Sequence, residues 1–130
     1  MATIKSCTDL EQSKKLAEIL PIESADMYYA YYHNPISGAS YYEEYPIFHM
    51  PMNKSKSLPC WSLAALRNLL PPAIKPNKDS YLFESHNTFD NSWVYRYYNE
   101  DGASYLYCKN TNEVDACVDM IVGLGERNLL

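Results

Sequence analysis

The chain has 130 residues and a formal net charge of −5; it is 47% apolar and 21% charged. A chain of this size buries roughly two-thirds of its unfolded surface, so a single domain over 1–130 can form a core without metal or disulfide staples, and the composition argues against disorder. The acidic balance disfavours a global electrostatic grip on nucleic acid or an anionic membrane, and no apolar run reaches the ~18 residues of a membrane span.

Thr8-Asp-Leu-Glu11 has the spacing of a capping box, with Thr8 as N-cap and Glu11 reaching back. Leu10, Leu16, Ala17 and Leu20 then share one helical stripe, Ile19 falls off it, and Pro21 stops the run. The next segment is unusual in using tyrosine as its apolar residue: the chain holds 13 Tyr against 3 Phe. Tyrosine buries a ring while its hydroxyl keeps a polar partner, so it suits half-polar cores and contact surfaces. Two clusters, Tyr28, Tyr29, Tyr31 and Tyr32, then Tyr41, Tyr42 and Tyr45, flank Asn34-Pro-Ile-Ser-Gly38, which predicts a hairpin. Pro46 and Pro51 make the following stretch irregular, and 53–57 reads as a loop.

"SLPCWSLAALRNLLPP" (57–72) predicts a helix with Ser57 as N-cap and Pro59 in the first turn. Its apolar residues, from Trp61 to Leu70, spread nearly all round the helix, which predicts the central, buried helix of the fold. Three strands follow: 80–85, 92–99 and 103–108, the last two joined by an Asp-Gly turn at Asp101-Gly102. The final helix starts at the N-cap Asn112, with Glu113 and Asp115 in its positive first turn. Val114, Cys117, Val118, Ile121 and Leu124 form its buried stripe, with Asp115, Asp119 and Glu126 opposite and Gly125 at its end. The fold class is therefore α+β: an antiparallel sheet, made of a three-stranded meander and a tyrosine-rich hairpin, packed by about three helices, one of them central.

Several residues carry candidate chemistry. A thiol at a helix N-terminus is activated by the dipole. "PCWS" resembles the Cys-Trp that opens the catalytic helix of papain-like peptidases, and "NSW" (91–93) resembles their Asn-Ser-Trp. That resemblance implies Cys60 as nucleophile, His86 as base and Asn91 as orienting amide. The chain departs from the pattern: Lys-Ser-Leu-Pro replaces the glycine-rich run before the cysteine, no glutamine stands just upstream, and the interval to His86 is short. The opposing reading makes Cys60 core filler. His33, His49 and His86 are isolated, with no H-x-x-x-H, so no metal or other cofactor is expected. Asp115 and Asp119, four residues apart, have a spacing that can hold a cation, but dipole complementarity explains them. The glycines form no phosphate loop, and no small-molecule ligand can be identified. Lys54, Lys56, Arg67, Lys75 and Lys78 form a basic stretch that reads as solvated loop lysines. Cys7, Cys60, Cys108 and Cys117 lack a C-x-x-C spacing, and 1–12 lacks a secretory apolar run, so a cytoplasmic protein with free thiols is expected.

Three segments, "DLEQSKKLAEILPIESADMYY", "LPCWSLAALRNLLP" and "EVDACVDMIVGLGERNLL", resemble a group of small uncharacterised proteins encoded in gut Bacteroides-type bacteria and their phages or prophages. The resemblance covers about half the chain. It implies a bacterial cytosolic or phage-associated accessory protein and carries no catalytic residues. Together these readings favour a non-enzymatic protein that binds a protein partner or itself. The binding residues expected are Tyr28, Tyr29, Tyr31, Tyr32, Tyr41, Tyr42 and Tyr45.

Overall fold

A computed structural model describes residues 5–48 and 56–130. The α+β class holds: among the described residues three α-helices pack with antiparallel sheets. The meander strands are β6 (Tyr81–Asn87), β7 (Trp93–Tyr98) and β8 (Ser104–Asn110), in the order expected, and β5 (Ala73–Ile74) adds a fourth strand at the edge. Gly102, at φ 83, occupies the left-handed step of the β7–β8 turn, a conformation that glycine adopts without steric cost. The expected tyrosine hairpin also forms, but as a separate two-stranded sheet and not as part of the meander's sheet. Its strands are β2 (Tyr31–His33) and β3 (Ser40–Tyr42), with Tyr31 opposite Tyr42 and Tyr32 opposite Tyr41. Tyr28 and Tyr29 lie outside it, on β1 (Met27–Tyr29), which pairs with β4 (Leu58–Cys60).

β4 corrects the expectation of a helix from Ser57. Pro59 disfavours helical dihedrals at Leu58, the residue before it. Its missing N–H is harmless here because Tyr28 opposite it directs both backbone groups to Ile47, at 2.8 Å each, and asks nothing of Pro59. The helix starts one turn later. α2 is Leu63–Leu69, and Ser62 is its N-cap, accepting from the Ala65 N–H at 3.2 Å. Of the apolar residues counted toward a helix buried all round, Trp61 precedes α2 and Leu70 is its C-cap, and α2 fully buries only Leu66 within its span.

The central helix is α3 (Glu113–Glu126). The predicted stripe of Val114, Cys117, Val118, Ile121 and Leu124 is buried, joined by Ala116 and Met120. Its Asn112 cap accepts from the Asp115 N–H at 3.2 Å, as expected. Its end lies beyond Gly125: Asn128 (φ 56) makes the left-handed step, and Leu129 N–H bonds the Leu124 carbonyl at 2.9 Å. α3 packs on β7, β8 and α2, and buries the inward tyrosines Tyr81, Tyr95 and Tyr97 with Leu106.

α1 (Leu10–Ala17) carries a capping box, but from Asp9 and Gln12 and not from Thr8 and Glu11. Thr8 is unavailable because its hydroxyl is fully buried, accepting from the Trp61 N–H at 3.1 Å and lying 2.8 Å from Ser13 Oγ. Leu16 and Leu20 are buried as the stripe predicts, Ile19 is exposed, and Ala17 is exposed as well.

Candidate functional site

The thiol Cys60 is fully buried on β4, in a small cluster with Met27, Tyr29 and Leu58. It donates to the Thr8 carbonyl oxygen at 3.4 Å, which also accepts from the Tyr29 hydroxyl at 2.8 Å. Burial pushes its pKa up to about 11, with the neighbouring Cys7 thiol adding to the rise. This is the opposite of an activated nucleophile. His86 lies on β6, exposed, with Nδ1 3.0 Å from Glu84 Oε1, and pairs in register with Val94. Asn91, at φ 61, is the exposed left-handed residue of the β6–β7 turn, where asparagine is favoured over most residues. Thus His86 and Asn91 share one end of the main sheet, and Cys60 sits in the other cluster, bonded to Thr8. The three do not converge on one bond.

Among the described residues no three His, Cys, Asp or Glu side chains converge as metal ligands. His33 Nδ1 lies 2.7 Å from Ser40 Oγ; His49 lies outside the described residues. Asp115 is already occupied, accepting from Lys5 Nζ and Gln12 Nε2 at 2.7 Å each. The basic stretch is dispersed. Lys56 lies over the Tyr31 ring, Lys78 lies beside Asp79, Glu100 and Asp101, and Lys54 is outside the described residues. Arg67 is spent internally: it donates to Glu113 Oε2 at 2.6 Å and to the Tyr95 hydroxyl at 2.8 Å, and Tyr95 in turn donates to the same Glu113 oxygen at 2.6 Å. This network ties α2, β7 and α3 together. The one sequence signal for it is an arginine interrupting an apolar run. No described helix is long and apolar enough to cross a membrane.

The tyrosines expected to bind divide sharply. Tyr29 is buried and leaves the set, and Tyr28 is half-buried on β1, between β4 and Ile47. On the hairpin the rings pair across the strands: Tyr31 meets Tyr42 edge-on at 5.6 Å, and Tyr32 stacks on Tyr41 at 5.7 Å. Tyr32 and Tyr41 are nevertheless about half exposed, and Tyr45 is 74% exposed. Ile36 (97%) and Phe48 (74%) are exposed in the same stretch of chain, two residues that a reading based on tyrosine alone misses. β2 and β3 pair only with each other among the described strands, so each has one edge that no other described strand pairs. The chain matches no protein-family model, no curated protein and no solved structure.

Proposed function

We propose that this chain acts by binding protein through the aromatic hairpin, with a second copy of itself as the first occupant. The observation that carries this reading is the concentration of exposed apolar side chains within 32–48: Tyr32, Ile36, Tyr41, Tyr45 and Phe48. Exposed apolar side chains gathered in one short stretch of chain favour a partner. Tyrosine supplies contact area with few rotatable bonds, so little entropy is lost on docking. A hairpin edge that no other described strand pairs gives two copies a self-complementary way to pair, as a two-fold dimer requires. Such a role needs no cofactor and uses no catalytic residue. The resemblance to small proteins of gut bacteria and their phages supports placing it in the cytoplasm as an accessory protein.

Sedimentation equilibrium over a wide concentration range tests this. The wild type should show a concentration-dependent dimer, and Tyr41→Ser/Tyr45→Ser should remain monomeric with an unchanged circular dichroism spectrum. A wild type that stays monomeric throughout, or a variant that dimerises equally well, contradicts the reading.

A further inference from the structure

A second surface lies away from the hairpin. α1 and α3 run beside a groove of about 710 Å³, inside the ~300–1,000 Å³ range of ligand sites. Beneath it on α3 lie Val118, almost fully buried, and the half-buried Val122. Its rim carries Glu11 and Glu18 from α1 and Asp119 and Glu126 from α3. These spacings follow from helix periodicity: 11 and 18 share one face of α1, and 118, 119, 122 and 126 share one face of α3. Lys14 and Lys15 also line it, but Lys14 lies 3.6 Å from Glu11, and the carboxylates outnumber the lysines. The result is a groove with a narrow apolar floor and acidic walls, about two and a half turns long at 3.6 residues per turn along α3.

The geometry points to a docking site for a basic amphipathic helix of a partner protein. A third helix laid against two others buries an apolar stripe in their groove, the helix-in-groove mode of recognition. Lys or Arg on either side of that stripe would meet the acidic walls. A second copy of this chain does not fit: α3 carries no basic residue in its last turn, α2 has only Arg67, already paired with Glu113, and the α1 lysines come with Glu11. A small polyvalent cation would use the carboxylates and leave the valine floor unfilled.

A dye-labelled amphipathic peptide of leucine and lysine, and an isomer of the same composition in scrambled order, test the assignment by fluorescence anisotropy. The amphipathic peptide should bind saturably and more tightly than its isomer. Asp119→Lys/Glu126→Lys should weaken it at least about tenfold, whereas Glu100→Lys/Asp101→Lys, the same change of net charge on the β7–β8 turn, should alter it less than about twofold. Val122→Gln, which changes no charge, should also weaken it, and melting curves of each variant separate loss of binding from loss of fold. Absence of binding, equal binding of the two isomers, equal weakening by the two lysine pairs, or displacement of the peptide by an equal concentration of spermine would each overturn it.

Discussion

The tyrosines of β7 and those of the hairpin are the same residue in two physical roles. Tyr95 and Tyr97 are fully buried, with Phe83 packed against both rings. Each hydroxyl has an acceptor: Glu113 Oε2 at 2.6 Å for Tyr95 and the Pro71 carbonyl at 2.7 Å for Tyr97. Desolvation drives both phenol pKa values upward. On the hairpin, Tyr32 and Tyr41 pack on each other and leave about half of each side chain in water. The β7 tyrosines hold the fold, and Tyr32 and Tyr41 of the hairpin stay at the surface.

The largest expected difference is in stability. Tyr97→Ala should cost about 3–5 kcal/mol, as truncation of a buried aromatic does, whereas Tyr41→Ala should stay within about 0.5 kcal/mol; urea unfolding of the two variants measures the gap. Next comes the alkaline limb. The Cys60 and Cys117 thiols, held neutral by burial, are pushed up to about 11 and about 12 from an ordinary 9.0. Their contribution to stability should be constant below about pH 8 and fall as pH rises from the ordinary value toward those values, on the order of 2 kcal/mol per thiol by pH 10.5. Cys60→Ala should make that fall shallower, and denaturation midpoints at pH 8 and 10.5 report it. Tyr95→Phe should cost about 1–2 kcal/mol, because the direct Arg67–Glu113 pair survives the loss of the hydroxyl. Tyr29→Phe should cost about 1 kcal/mol, since the Thr8 carbonyl keeps the thiol as a donor.

How far the sequence revealed this division depends on the range of each interaction. The meander, the hairpin turn, the Asn112 cap and the α3 stripe were legible because periodicity and turn chemistry are local. The start of α2 was misread because its cause is distant: β1 recruits Leu58–Cys60 as a strand, and Asp26 accepts from the Ser62 backbone N–H at 2.9 Å and from its hydroxyl at 2.5 Å. Thr8 looked like a cap and became a buried junction because Trp61, far along the chain, needs its oxygen. For the same reason Tyr29 could not be told from Tyr32 by spacing alone: one ring reaches the Thr8 carbonyl and the other stays on the hairpin surface.

Tyrosine nitration mapped by mass spectrometry, followed as protein concentration rises, tests the claim most directly. Tyr107, exposed on β8, serves as the internal reference. In dilute protein Tyr32, Tyr41, Tyr45 and Tyr107 should be modified and Tyr29, Tyr95 and Tyr97 spared; at high concentration the hairpin tyrosines alone should become protected. Hairpin tyrosines that react in constant proportion to Tyr107 at every concentration would contradict the account.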